Sequence, residues 1–378
     1  MQLNDMVVEF VAVVLLHSFC LINAKQNVNY LLARQKHFYT STFKIGSPPK
    51  TFQLIFDVTG TSFLIYTGAE KQMRMRLMES EENAVQTYDP KSSQTYQRIG
   101  IYTEDSNLSN ESFYSTSVNN LDSPVNVLLV RDLVFYNNRS LGKLKFGLID
   151  YDPQLHRLIP FDGIFGIDRL LAQDITDWPQ NEMKTAGSQT LTFYPILKCG
   201  GAFENSDAIL SFGDQKTDQC ENQWVHFPMF VFNSSHSFFD FKLTNAIYAD
   251  FNITYSHDTV FSISTLTTYI TVDEIIYASI VDKLKPTREN GSSRDIVECH
   301  HTVTAAPLVF GSENYNFSIP ASLYIHYSEY RGKCYLKIRK NSAAFKQRWV
   351  LGQPFFLTHC VSWHFGNSTV AFARSIAK

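Results

Sequence analysis

The chain carries one order of features twice. In its first half an apolar strand reaches Asp57 in LIFDVTGTSFLIY, and an apolar-apolar-Gly turn follows at Ile164, Phe165 and Gly166. In its second half an apolar strand reaches Ser264 in VFSISTLTTYITV, and the matching turn is Val350, Leu351 and Gly352. Such an echo suggests a duplicated β lobe, with a cleft between the two copies.

The sequence around these landmarks is strand-prone. Runs such as TFQLIFDV, VNVLLVRDLVFY, WVHFPMFVF and KCYLKI are separated by clusters of Gly, Pro, Asn, Asp and Ser. With 30 Phe and 19 Tyr in 378 residues, the chain can fill a sizeable β core. Helical spacing is confined to residues 272–284, where the apolar Val272, Ile275, Ile276 and Ile280 recur at helical intervals, and to a charged piece near Glu70 to Gln86. The expectation is an all-β chain, with its internal boundary in the segment GGAFENSD that ends at Asp207.

Charge excludes some partners. Thirty-three Lys and Arg against 36 Asp and Glu leave a formal net charge of −3, too little and of the wrong sign to draw the chain to nucleic acid.

Residues 1–24 read as a secretory signal peptide: the apolar run VVEFVAVVLLHSFCLI ends near Ala24, too short and too interrupted for a comfortable membrane span. Glu9 in the run and Asp5 before it depart from the usual pattern, and a retained anchor is the alternative. Glycosylation sequons at Asn107, Asn110, Asn138, Asn233, Asn252, Asn290, Asn316 and Asn367 also fit an exported protein. Without Cys20 the cysteines are Cys199, Cys220, Cys299, Cys334 and Cys360, enough for two bridges and one leftover thiol. No Cys or His spacing suits a metal, and the adjacent His300 and His301 would point in opposite directions on a strand, so neither metal nor cofactor is expected.

Taken in order, several segments resemble the pepsin-like (A1) aspartic proteases, most closely their nematode members. They are FYTSTFKIGSPPKTFQLIFD, YDPKSSQTY and PFDGIFGI in the first half, then LSFGDQKTDQC, GKCYL, WVLGQPFFLTHC and HFGNSTVAFA in the second. The resemblance implies a bilobal all-β fold, with a short N-terminal segment 25–37, an N-terminal lobe 38–206 and a C-terminal lobe 207–378. It also implies the bridges Cys299 with Cys334 and Cys220 with Cys360, and a monomer that receives an extended peptide or protein ligand.

In that family each lobe contributes an Asp-Thr-Gly loop. The two carboxylates share a proton and a water, one acting as base while the other donates to the peptide carbonyl. Here Asp57 is followed by Val58, Thr59, Gly60 and Thr61, so either Val58 is an insertion or Thr59 replaces the loop glycine. The second loop reads Ser264, Thr265, Leu266, Thr267, Thr268, with neither acid nor glycine. A serine hydroxyl cannot share a proton with Asp57 as a carboxylate would. Asp258 and Asp273 are expected to lie too far along the chain to substitute.

Asn120 falls where the hairpin over the cleft should carry Tyr, and Gln353 falls where the family usually has Asp. Only about a dozen residues separate Ala24 from Phe38, shorter than the covering pro-segments of family zymogens. The resemblance therefore implies a secreted pepsin-like protein whose catalytic pair is a remnant. Thr59, Gly60, Thr61, Asn120, Thr265 and Thr267 would line its binding cleft. An endopeptidase of unusual site chemistry, or a structural or decoy glycoprotein, are the alternatives.

Overall fold

The computed structural model describes residues 27–35, 38–58, 63–68, 85–102, 127–150, 161–166, 178–196, 207–213, 215, 219–229, 240–255, 259–288, 294–312, 315–341 and 348–376. Strands dominate, as expected for an all-β chain.

The duplication is explicit in the sheet topology. Strand Lys50–Asp57 runs parallel to Gly163–Gly166, which is antiparallel to Phe63–Thr67, which in turn is parallel to Arg139–Asp150. In the second half Val260–Ile263 runs parallel to Arg348–Leu351, which is antiparallel to Ile270–Val272, which is parallel to Ile338–Lys340. Strands that lie between neighbours and are covered on both faces need continuous apolar runs. LIF before Asp57 and VFSI before Ser264 supply them, and these residues are buried apart from the slight exposure expected of a packed core.

A further set of strands joins the two halves. Strands Val225–Pro228, Thr369–Arg374, His359–His364, Thr190–Pro195, Ala208–Phe212 and Val28–Gln35 lie side by side in that order. Val361 pairs with Phe193, and Leu210 pairs with both Phe193 and Tyr30, so late, middle and early parts of the chain share one sheet. The N-terminal segment is thus built into the fold as a strand. Its Tyr30 is fully buried, receives hydrogen bonds from Trp178 Nε1 (3.2 Å) and Arg139 Nη2 (2.9 Å), and meets the Trp178 ring edge-on.

The expected helix forms as Glu274–Leu284, and Asp273 caps its N-terminus by accepting from the Ile275 and Ile276 amides. A second helix, Trp178–Ala186, was not signalled by apolar period alone. Pro179 opens it and Trp178, Met183 and Ala186 bury one face, so its start signal is the proline rather than the spacing. The charged piece near Glu70 to Gln86 lies almost wholly outside the described residues. His300 and His301 do not stand on a strand: they enter a one-turn helix, His301–Thr304, and their rings lie 4.1 Å apart.

Both bridges implied by the resemblance form, Cys220 to Cys360 and Cys299 to Cys334. Cys199 lies outside the described residues. Among the described residues no helix is long and apolar enough to cross a membrane, and no three His, Cys, Asp or Glu side chains gather as a metal site.

Candidate functional site

Two strand ends define the site. Phe56 pairs with Phe165 and Asp57 with Gly166 in one half; Ile263 pairs with Leu351 in the other, and the Ser264 amide donates to Leu351 O. Asp57 and Ser264 therefore stand one residue beyond equivalent strand pairs. Both are buried, at 1% and 2% exposure.

The same register settles how the first loop departs from the second. Leu64 lies opposite Ile164, and Thr271 lies opposite Val350, at equal distances along the chain from Asp57 and Ser264. Equal spacing leaves no room for an inserted residue. Val58, directly after Asp57, is thus the counterpart of Thr265, directly after Ser264.

Thr265 joins the two loops. Its Oγ1 donates to Phe56 O (2.9 Å) and accepts from the Val58 amide (3.1 Å), so it grips the backbone on either side of Asp57. The hydroxyl expected from sequence to meet a ligand is used instead to hold the loops together, and Thr265 is fully buried. Val58 has no hydroxyl with which to return the grip. Thr267 Oγ1 donates to Ser264 Oγ (3.2 Å), orienting the serine hydroxyl. Leu266 is buried beside it.

Gly352 follows the second apolar pair and explains why glycine is needed there. A Cβ on it would lie 2.1 Å from Tyr269 O and 2.3 Å from Thr267 O, well inside contact distance of backbone that cannot swing aside. The close approach also lets the Gln353 amide donate to Thr267 O (2.9 Å).

A model of the eukaryotic aspartyl protease family matches residues 38–375. The chain belongs to that family. No curated protein matches it.

Thr59, Gly60, Thr61 and Asn120 lie outside the described residues, as does Asp258. Asp273 is placed, and its carboxylate is occupied: besides capping the helix it accepts from Tyr255 Oη and from Trp349 Nε1 (3.1 Å). Of the sequons, Asn138, Asn252, Asn316 and Asn367 are described and exposed; Asn107, Asn110, Asn233 and Asn290 are not described.

Two titratable groups, the buried His359 and the half-buried Asp162, lie elsewhere in the fold and shape its response to pH. Burial pushes His359 down to about 3, despite its hydrogen bond to Phe355, and its ring stacks on Phe355 at 4.5 Å. Burial pushes Asp162 up to about 6, against the opposing pull of the Gln53 and Gln86 amides that donate to it.

Proposed function

We propose that this chain is a secreted, non-catalytic member of the aspartyl protease family that binds an extended peptide or protein segment in its cleft. The observation that supports this reading is the register: Phe56 before Asp57 pairs with Phe165, and Ile263 before Ser264 pairs with Leu351, so we read Ser264 as the counterpart of Asp57. Peptide hydrolysis by the family mechanism requires one carboxylate to take a proton from water while the other gives one to the carbonyl. Asp57 can supply one of those roles. The Ser264 hydroxyl, which does not ionise in the accessible pH range, cannot supply the other.

What persists is the framework around the pair. Thr265 still clasps the first loop, and Gly352 still permits close packing behind the second. A binding cleft needs that framework, whereas it does not need a second acid. The lobes are read as residues 38–206 and 207–378, and residues 1–24 as the cleaved leader. Exposure of Asn138, Asn252, Asn316 and Asn367 is compatible with glycosylation in the secretory pathway.

The test is retention without turnover. Purified protein is immobilised and exposed to a randomised peptide library, and the retained peptides are eluted and sized by mass spectrometry. Recovery of intact peptides is expected. Failure to retain any peptide would remove the binding reading.

A further inference from the structure

One four-stranded sheet in the second half has two open edges. Its strands lie in the order Phe251–Thr254, Asn245–Tyr248, Leu308–Ser312 and Tyr315–Ile319, and among the described residues no further strand pairs with either outer one. An open edge presents unpaired N–H and C=O groups, a template for pairing with another chain. Each outer strand carries a glycosylation sequon: Asn252, Ile253, Thr254 on one, and Asn316, Phe317, Ser318 on the other.

The hydrogen-bond alternation puts both sequons on the edge itself. Opposed residues of an antiparallel pair are alternately bonded and non-bonded, and a residue not bonded to its partner turns its N–H and C=O the other way. Tyr255 N donates to Thr244 O at 2.7 Å, so counting in twos makes Ile253 with Ala246 and Phe251 with Tyr248 the bonded pairs. Asn252 and Thr254 fall between them and face outward. On the other side the Thr244 amide donates to Gly311 O at 2.8 Å, so Gly311 directs its backbone groups to the Asn245–Tyr248 strand and away from its partner Asn316. Asn316 and Ser318 therefore face outward as well.

The same four residues share the solvent face. Cross-strand partners run Asn252, Ile247, Val309, Ser318 in one row and Thr254, Asn245, Gly311, Asn316 in the next, so each asparagine lies in line with the hydroxyl residue of the other sequon. All four are exposed, while Ala246, Tyr248, Phe310 and Phe317 on the opposite face are buried. Gly311 leaves room for the Asn316 side chain: a Cβ there would lie 2.4 Å from Asn316 Oδ1. Neither asparagine side chain hydrogen-bonds a described residue, whereas Asn138 Oδ1 accepts from Lys44 Nζ (3.3 Å) and Asn367 Oδ1 from Thr369 Oγ1 (2.8 Å). Asn138 and Asn367 occupy hairpin turns, away from any strand edge.

We infer that Asn252 and Asn316 carry N-linked glycans that close the two open edges of this sheet, so that copies of the folded chain do not pair strand to strand. A glycan is bulky and hydrophilic, and on an outer strand it leaves no room for a further strand about 4.8 Å away. The inference rests on the secretory route proposed above and adds to it which sequons are modified and what those glycans do.

The full chain is expressed in a eukaryotic secretory host. Occupancy of each sequon is read by peptide mapping after enzymatic glycan release in isotopically labelled water, and self-association by size-exclusion chromatography with light scattering. Asn252 and Asn316 are expected to be occupied. Thr254→Ala combined with Ser318→Ala removes both edge sequons but keeps the asparagines, and is expected to raise the associated fraction about fivefold or more. Asn138→Gln combined with Asn367→Gln, which removes the hairpin glycans, is expected to leave that fraction unchanged. Endoglycosidase trimming of the folded, unaltered protein is a second arm that does not depend on a variant folding, and it is expected to raise association in the same way. Glycans at other sequons with Asn252 or Asn316 unmodified would overturn the inference and leave the secretory reading intact. Full occupancy with no added association after either removal would overturn the edge role. No glycan at any sequon would overturn the inference and the secretory reading together.

Discussion

Thr265→Val isolates the link between the two loops. The substitution keeps the shape of the side chain and deletes one hydroxyl, which at present satisfies Phe56 O at 2.9 Å and the Val58 amide at 3.1 Å. Thr265, Val58 and Phe56 are buried, so water cannot readily replace either bond. Each orphaned backbone group costs about 1 to 3 kcal/mol, less a small gain from replacing a hydroxyl by a methyl. A loss of roughly 2 to 4 kcal/mol is therefore expected. Urea unfolding followed by tryptophan fluorescence reads it directly, as a lower midpoint at unchanged slope. Thr67→Val serves as the comparison: it removes a single, half-buried bond to Tyr88 O within one half of the chain, for which about 1 kcal/mol is expected. If Thr265→Val costs less than about 0.5 kcal/mol, the clasp has no energetic role and the reasoning fails.

Further expectations concern pH, the bridges and the second loop. His359 titrates at about 3 when folded against an ordinary 6.5, so its contribution is complete above 6.5 and is lost as pH falls toward 3, at up to about 1.4 kcal/mol per pH unit. Asp162 has the opposite sign: raised from 3.8 to about 6, it favours the folded state progressively as pH falls through that interval. In unfolding titrations His359→Asn should gain stability relative to the unaltered protein on acidification, whereas Asp162→Asn should lose it; parallel curves would contradict both assignments. Replacing Cys299 and Cys334 by Ser opens a loop of sequence separation 35 and is expected to cost about 4 kcal/mol in a denaturant titration, where a change under 1 kcal/mol would refute it. Ser264→Asp alone is expected to give no protease activity in a fluorogenic peptide assay, because Leu266 is buried in the second loop where the family has glycine, Val58 follows Asp57 where it has threonine, and a displacement of about 1 Å at a catalytic group costs on the order of a hundredfold. Activity from that single change would show that the missing carboxylate is the whole defect.

How much of this could be read from the sequence depended on whether a feature was local. The helix Glu274–Leu284 showed itself through Ile276 and Ile280 on its buried face, and the strands before Asp57 and Ser264 through their apolar runs. The bridges followed from the family resemblance rather than from spacing. Helix Trp178–Ala186 escaped notice because a nine-residue helix carries too few turns to establish a period, and its Pro179 reads equally as a loop residue. The alternatives for Val58 were inseparable in sequence, because an inserted residue and a substituted one leave the same letters; only the partners of Leu64 and Thr271 distinguish them. The role of Thr265 was similarly hidden, since its two partners lie 207 and 209 residues away. Gln353 stood out as a substitution, but its hydrogen bond from Arg34 spans 319 residues.

The proposal that the chain binds without cutting is tested most directly by digesting a diverse peptide mixture with the purified protein from roughly pH 2 to 7, the range in which a carboxylate pair titrates. Products are counted by mass spectrometry, in parallel with an Asp57→Asn variant. No cleavage that depends on Asp57 is expected at any pH. Cleavage by the unaltered protein that Asp57→Asn abolishes would contradict the account, because it would mean that Asp57 and its serine counterpart still carry out the family reaction.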